Sequence, residues 1–194
     1  MDSFLSISFL TGLTGFLRLK QNPFLQGIFT DLMHSQPGTY TLIFSSSVEK
    51  PVNIGKLGTL FLKPGFYVYV GSAFGPGGLK ARIKHHFNHS SRPHWHLDYL
   101  SPALSACEIW YTYDQTRREH QWATVHLQTR GVVLPLPGFG SSDCRCLSHL
   151  FFYKSKPSGN HFRRKIRAKL AHHTKFMIEK SEKFLDNSST SDIH

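Results

Sequence analysis

The stretch that decides the fold class runs from residue 66 to residue 87. It begins with Phe66-Tyr-Val-Tyr-Val70, continues through the glycine-rich loop 71–78, and ends with Leu79-Lys-Ala-Arg-Ile-Lys-His-His-Phe87. The first part is β-branched and aromatic, which is typical of a strand. The last part carries apolar side chains four residues apart, which share one face of a helix. The glycines between them allow the backbone to approach a ligand. This stretch predicts a mixed α/β (α+β) fold.

Further strands are indicated on both sides of this stretch. Upstream, residues 39–44 and 57–62 are β-branched or apolar runs separated by proline and glycine, so three strands in an antiparallel meander are predicted. Downstream, a strand at 106–113, a helix from Thr116 to about Arg130 and a closing strand at 147–153 are predicted. The fold class is therefore a small central antiparallel sheet flanked by helices.

Composition limits the classes of protein to consider. The 194 residues provide one domain with appendages, and 40% hydrophobic content excludes a wholly disordered chain. The formal net charge of +11 favours a polyanionic partner, such as nucleic acid or an anionic membrane surface. The apolar segment 4–17 is shorter than the roughly 20 residues of a membrane helix, so no membrane span is predicted. Three cysteines, two of them one residue apart, argue against a disulfide framework and favour a reducing, cytoplasmic setting.

The composition also divides the chain. Residues 1–35 are predicted to form an N-terminal extension, residues 36–153 the main domain, and residues 154–194 a basic amphipathic helix with a polar tail. The helix is predicted over 154–183, where apolar residues recur at three- to four-residue multiples among Lys and Arg. Such a helix would attract DNA phosphates nonspecifically, or dock on an anionic membrane or in a protein groove.

Two charged residues stand out on the predicted helices. Glu119 falls on the same helix face as Trp122 and His126, which places an acid on the packing side. Thr116-Arg-Arg-Glu119 also fits a capping box, in which the acid would be purely structural. Arg82 follows the glycine loop and could hold a phosphate through two parallel donors, although a solvated arginine is the alternative.

Histidines and cysteines provide further candidate ligands. Five histidines fall within twelve positions, and such a cluster could bind metal, accept a proton or contact phosphate: His85, His86, His89, His94 and His96. Cys144, Cys146 and His149 could supply three zinc ligands, but no fourth ligand is evident. Buried cysteines acting as small hydrophobes are the alternative.

Tyr40, Tyr67 and Tyr69 lie on predicted strands. Because side chains alternate along a strand, Tyr67 and Tyr69 are predicted to share one face of the sheet. That face could be a platform for nucleic acid or half of an ordinary core.

Taken together, these blocks resemble the GIY-YIG nuclease superfamily. Gly38-Thr39-Tyr40 resembles its first motif, and Tyr69-Val70-Gly71 resembles its second, with Arg82 and Glu119 following in the same order. The blocks 67–73, 94–100 and 138–146 are more narrowly similar to its Uri-type branch. The separation between Tyr40 and Tyr69 is longer than in that superfamily and contains an additional predicted strand.

The resemblance implies hydrolysis of DNA phosphodiester bonds with one divalent metal ion, Mg²⁺ or Mn²⁺, in DNA repair or processing. It implies that Glu119 holds the metal, that Arg82 contacts the scissile phosphate, that Tyr40 is the general base, and that Tyr69 positions the nucleophile or the phosphate. A further polar contact would come from His86, His94 or His96, among which the sequence leaves the choice open, and Asp143 or Ser142 would lie near the site as a later polar residue.

Basic side chains on the two predicted helices are the candidate DNA contacts: Lys80, Arg82, Lys84, Arg163, Arg164, Lys165 and Arg167. A noncatalytic nucleic-acid-binding module on the same fold is the alternative to the endonuclease.

Overall fold

The fold is a five-stranded antiparallel sheet with helices on both faces, seen in a computed structural model that describes residues 33–87, 92–170 and 172–180. The predicted extension 1–35 and the predicted polar tail lie almost entirely outside these residues. In chain order the strands and helices are β1 (Gly38–Ser46), β2 (Lys50–Asn53), β3 (Thr59–Leu62), β4 (Gly65–Ala73), α1 (Gly78–Phe87), α2 (His96–Leu100), β5 (Ser105–Thr112), α3 (Glu119–Leu127), β6 (Leu150–Tyr153), α4 (Gly159–Lys169) and β7 (Phe176–Lys180).

The strand order of the main sheet is β6-β4-β1-β5-β7, so β1 is central. It pairs with β4 along its whole length, from Gly38 opposite Ala73 to Ser46 opposite Gly65, and with β5 on its other edge. Both edges of β1 are therefore occupied, and β3 has no place beside it. Instead, β2 and β3 form a separate two-stranded sheet. The predicted mixed fold with a flanked antiparallel sheet is confirmed, whereas the predicted meander of three consecutive strands is wrong.

Both faces of the sheet are buried. Tyr40, Leu42 and Phe44 project to one side, together with Tyr67 and Tyr69, and α1 and α2 cover that face. Ile43, Val68 and Trp110 project to the other side, which α3 and α4 cover. The alternation of side chains along each strand produces this division. Helix α1 contributes Leu79 and Ile83, both fully buried, and burying each such side chain stabilises the fold by roughly 1.5–3 kcal/mol. The predicted common face of Tyr67 and Tyr69 is confirmed.

Helix α3 begins later than its sequence predicts. Its first residue is Glu119, and no side chain caps it. The Thr116 amide donates to Asp114 Oδ1 at 2.9 Å, and the Arg118 amide donates to Thr39 Oγ1 at 3.0 Å, so a turn anchored by Asp114 replaces the predicted first helical turn. The predicted capping box of Thr116 and Glu119 is therefore wrong, and the Glu119 carboxylate is available for other contacts.

The basic helix is also shorter than predicted. It covers Gly159–Lys169, and β7 follows within the stretch 154–183 that was predicted to be helical throughout. Strand β1 occupies one edge of β5, and β7 pairs with the other edge, from Thr112 opposite Phe176 to Glu108 opposite Lys180. Because Phe176 packs with Trp110 in the second core, pairing and burial together favour the strand. Residues 159–170 and 172–180 are thus part of the same folded unit as the sheet.

Within the described residues, no helix combines the length and the apolar character that crossing a bilayer requires.

Candidate functional site

A polar cleft of about 470 Å³ lies where β1 begins and β4 ends. Its walls come from the loop after β4, the middle of α1, the segment before α2, the start of α3 and the loop between α3 and β6. All four residues predicted to be catalytic line it: Tyr40, Tyr69, Arg82 and Glu119. Four side chains spread over 80 positions of sequence are thus brought to one concave surface.

The two tyrosines meet across neighbouring strands at the floor of the cleft. Their ring centroids are 6.4 Å apart. Gly71 lies opposite Tyr40 in the β-ladder, and a Cβ atom there would collide with the Tyr40 ring and hydroxyl. Glycine is therefore required at residue 71 if the Tyr40 side chain is to lie across β4.

Tyr40 is linked to a buried histidine and a buried carboxylate. Its hydroxyl lies 2.7 Å from His86 Nε2, and His86 Nδ1 lies 3.8 Å from Asp98 Oδ1. Burial lowers the pKa of His86, although Asp98 opposes this, so the ring is neutral and can accept a proton. Burial would raise the pKa of Asp98, but His86 and the amides of Trp95 and His94 outweigh that effect and hold the pKa below its ordinary value. Asp98 is therefore an anion beside His86.

Neither phenol of the cleft ionises easily. Burial, and then the proximity of Tyr69, raise the pKa of Tyr40 well above its ordinary value, and Arg82 only partly opposes this. Burial and the Glu119 carboxylate also raise the pKa of Tyr69. Tyr40 is therefore a neutral phenol whose natural proton acceptor is His86.

Two arginines flank the cleft, each over an aromatic ring. Arg82 Cζ lies 4.2 Å from the centre of the Trp95 ring, and Arg117 Cζ lies 5.1 Å from that of Phe74. Cation–π contacts of this kind hold a guanidinium in place while its N–H groups still point to a ligand. Arg82 is thus a positioned side chain of the cleft and not the freely solvated arginine of the alternative interpretation.

Glu119 is the acid of the cleft, with a side chain 16% exposed. Ser72 donates a hydrogen bond of 2.6 Å to Oε2, and His149 Nδ1 lies 3.1 Å from Oε1. Burial would raise the pKa of Glu119, but His149 and Ser72 outweigh it and hold the pKa below the ordinary value. The carboxylate is an oriented anion with lone pairs left over, which is the kind of oxygen ligand that a hard divalent cation takes.

The remaining candidates divide between the cleft and other surfaces. His94, His96 and Asp143 line the cleft, and His96 Nδ1 accepts a hydrogen bond of 2.9 Å from the Gly140 amide. Among the three candidate histidines, His86 is the one that contacts Tyr40. Lys80 and Lys84 lie on α1 but are not among the residues that line the cleft.

Helix α4 packs on the sheet face opposite to Tyr40 and Tyr69. It carries four of the candidate DNA contacts: Arg163, Arg164, Lys165 and Arg167. These side chains consequently do not extend the lining of the cleft. Three of them have contacts within the fold: Lys165 Nζ donates to Thr129 Oγ1 at 3.1 Å, Arg163 Cζ lies 5.6 Å from the centre of the Phe176 ring, and Arg164 Nη2 lies 3.4 Å from His161 Nδ1.

Sequence reasoning missed Asp98, Ser72 and Arg117 as parts of the site. A signal existed for Asp98, because Trp95-His-Leu-Asp98 forms a capping arrangement at α2 that fixes the carboxylate beside the histidines. Ser72 and Arg117 have no such signal, since their positions depend on how β4 and α3 pack.

The fold and the cleft define a small mixed α+β domain with an oriented acid, two arginines that lie over aromatic rings, and a tyrosine–histidine pair at one end of its sheet. The chain belongs to the family described as Domain of unknown function DUF123, whose model matches residues 39–173. No curated protein and no solved structure matches it. The predicted membership of the GIY-YIG nuclease superfamily is wrong, because the family that matches is DUF123 and nothing in the comparisons points to GIY-YIG. The catalytic roles that this resemblance implied for Tyr40, Tyr69, Arg82 and Glu119 are therefore supported only by the geometry of the cleft.

Proposed function

We propose that this domain is a divalent-metal-dependent DNA endonuclease. The observation that carries the proposal is the convergence of Tyr40, Arg82 and Glu119 on one cleft, with His86 hydrogen-bonded to the Tyr40 hydroxyl. Hydrolysis of a phosphodiester requires a proton acceptor for the attacking water, cationic donors for the phosphate, and a ligand for a cation. Each requirement has a side chain in the cleft.

The proton acceptor is the Tyr40–His86 pair. A water beside the Tyr40 hydroxyl would pass its proton to Tyr40 as Tyr40 passes its own to His86 Nε2. This sequence avoids a free phenolate, which the raised pKa of Tyr40 disfavours. Asp98 then stabilises the imidazolium of His86 across 3.8 Å. Tyr40 acts here as a relay, and His86 holds the proton.

Arg82 and Arg117 supply the donors for phosphate oxygens, and their aromatic supports reduce the entropy lost when they bind. Glu119 would hold Mg²⁺ or Mn²⁺, and the cation would offset the negative charge that gathers on the phosphoryl group. The contacts of Glu119 with Ser72 and His149 fix the direction in which it presents its lone pairs.

DNA is the substrate class that the charge distribution favours. The chain has 23 Lys and Arg against 12 Asp and Glu, and the two arginines that line the cleft are suited to bind phosphate groups. Helix α4 lies on the other face of the sheet, so its basic side chains would not contact DNA bound in the cleft. They would attract DNA by long-range electrostatics, which raises the association rate and makes that rate depend on salt concentration.

The test is nicking of supercoiled plasmid and of branched DNA by the full chain, with Mg²⁺ or Mn²⁺ and with a chelator control. We expect cleavage that requires the metal and that Glu119→Gln abolishes. The matched control is Glu49→Gln, since Glu49 is exposed and follows the end of β1 that lies away from the cleft. Full activity in Glu119→Gln, or cleavage in the presence of chelator, would refute the proposal.

A second pair of variants distinguishes the role of His86 from that of His94. His86→Gln is expected to slow cleavage strongly, whereas His94→Gln, at an exposed residue of the same cleft, is expected to have a small effect. Retarded migration of DNA with no cutting under any divalent metal would instead identify a noncatalytic nucleic-acid-binding module.

A further inference from the structure

A cluster of two cysteines and two histidines lies beside Glu119, since His149 Nδ1 is 3.1 Å from Glu119 Oε1. Its members are His120 on α3 and three residues of the segment that leads into β6: Cys144, Cys146 and His149. One donor atom from each residue can be chosen so that all four lie within 4.8 Å of one another. Sequence spacing had shown three of these ligands, and the fold supplies the fourth, His120.

The individual contacts are those of a ligand shell. His120 Nδ1 lies 3.1 Å from Cys146 Sγ, and His149 Nε2 lies 3.6 Å from Cys144 Sγ. Zinc bonds of about 2.3 Å to sulfur and about 2.0–2.1 Å to nitrogen place neighbouring tetrahedral ligands about 3.5 Å apart. The four donors thus need only a small contraction to enclose one ion.

The backbone around the cysteines holds the cluster together. The segment from Gly138 to His149 is closed by the hydrogen bonds Gly138 N to Leu147 O at 2.8 Å and His149 N to Phe139 O at 2.7 Å. Cys144 is fixed in a turn whose amide donates to Ser141 O at 3.3 Å. A loop braced in this way presents its side chains at small entropic cost, as a metal site requires.

The orientation of His149 provides a second, independent observation. Its side chain is 1% exposed, its Nε2 faces Cys144, and its Nδ1 faces Glu119 Oε1 at 3.1 Å. A histidine that binds metal through one nitrogen nearly always directs the other nitrogen to a carboxylate, a carbonyl or water. Glu119 occupies that position for His149.

Charge and chemistry select the metal. Two thiolates balance the charge of one divalent cation, and sulfur with imidazole suits zinc, whereas Mg²⁺ takes oxygen ligands. Both cysteines would bind zinc as thiolates, which the cation stabilises.

We infer that His120, Cys144, Cys146 and His149 form a structural Cys₂His₂ zinc site. The four protein ligands fill the tetrahedron and leave no open position, so the site is structural. It ties the first turn of α3 to the segment 138–149, and through His149 it fixes the carboxylate of Glu119. The inference does not depend on the proposed nuclease activity, since zinc content is measured without DNA.

The experiment measures zinc in the full chain purified without added metal or chelator, by plasma mass spectrometry. We expect one zinc per chain in the wild type and near zero in Cys144→Ser and in His120→Ala, where His120 is the exposed ligand. Cys107→Ser is the matched control, because Cys107 is outside the cluster, and it should retain one zinc. Glu119→Gln should retain zinc while losing any metal-dependent cleavage, which separates a failure of this inference from a failure of the nuclease proposal.

Spectroscopy of the wild type keeps the inference testable if a ligand variant does not fold. After replacement of zinc by Co²⁺, a tetrahedral site with two thiolates gives intense visible bands and a sulfur-to-metal charge-transfer band in the near ultraviolet. X-ray absorption of the zinc protein should fit two sulfur and two nitrogen neighbours. Wild-type protein without zinc, a zinc shell without sulfur, or stoichiometric iron would each overturn the inference.

Discussion

Replacement of the buried His126 should make the domain less sensitive to acid. This side chain lies on α3, with its ring stacked 4.4 Å from Phe162, and its Nδ1 lies 2.8 Å from the Tyr153 hydroxyl. Burial, assisted by the charge of Lys165, lowers the pKa of His126 to about 3. In the unfolded chain the pKa of histidine is about 6.5. His126 therefore stays neutral in the fold while the unfolded chain takes up a proton.

The sign and size of the effect follow from these two pKa values. Because the unfolded state binds more protons between about pH 6.5 and pH 3, the free energy of unfolding falls as pH falls through this window. The slope approaches about 1.4 kcal/mol per pH unit, so His126 alone removes about 3 kcal/mol between pH 7 and pH 4. That is a large part of the ordinary stability of a small domain.

The assay is urea unfolding of the wild type and of His126→Phe, followed by tryptophan fluorescence at several pH values from 7 to 4. Phenylalanine fits the aromatic stack but loses the contact with Tyr153, so we expect a cost of about 1 kcal/mol at pH 7. At pH 4 the variant should be the more stable protein by about 2 kcal/mol. His161→Gln, at an exposed residue of α4, is the control and should keep the wild-type dependence. Equal slopes for the wild type and His126→Phe would refute the reasoning.

Three further changes test the cleft. Gly71→Ala should force the Tyr40 ring off His86 and lower cleavage about 100-fold, whereas an unchanged rate would show that this hydrogen bond is dispensable. Trp95→Ala removes the ring under Arg82 and should weaken DNA binding by about 0.5–1 kcal/mol, most of which Trp95→Phe should restore in a salt-matched titration. Asp98→Asn should destabilise the fold by about 1–3 kcal/mol at pH 7, because the lowered pKa of Asp98 gives stability that is present above about pH 4 and lost below it. Equal stability of this variant and the wild type in urea at pH 7 would contradict that account.

Local patterns were sufficient to predict the fold class. The period-two runs of β1 and β4 and the four-residue spacing on α1 are properties of short segments, and the structure confirms a flanked antiparallel sheet. The pairing of strands was not predictable in the same way. That β4 and not β3 lies beside β1 depends on a pairing nine residues long, which has more to gain than the four residues of β3.

The candidate site shows the same limit. Arg82 and Glu119 were singled out from residue type and spacing, and Tyr40 through the resemblance to GIY-YIG nucleases. The structure places all three on one cleft, but their roles stay predictions. The capping box of Glu119 was a reasonable local interpretation that failed because Thr39 and Asp114, 75 residues apart, redirect the turn before α3. His120 could not be recognised as a zinc ligand because its contact with Cys146 spans 26 residues.

Glu119 stands between the cleft and the Cys₂His₂ cluster, and its two oxygens face different partners. Oε2 accepts from Ser72 on β4, whereas Oε1 faces His149. Loss of the zinc site would remove the constraint on the His149 ring that the metal supplies, and so weaken one of the two contacts that orient the carboxylate. Loss of Glu119 would leave the four zinc ligands in place and weaken metal affinity by about 10- to 100-fold, as the loss of an outer hydrogen-bond partner does. The two sites are therefore coupled through His149, whose Nε2 faces Cys144 and whose Nδ1 faces Glu119.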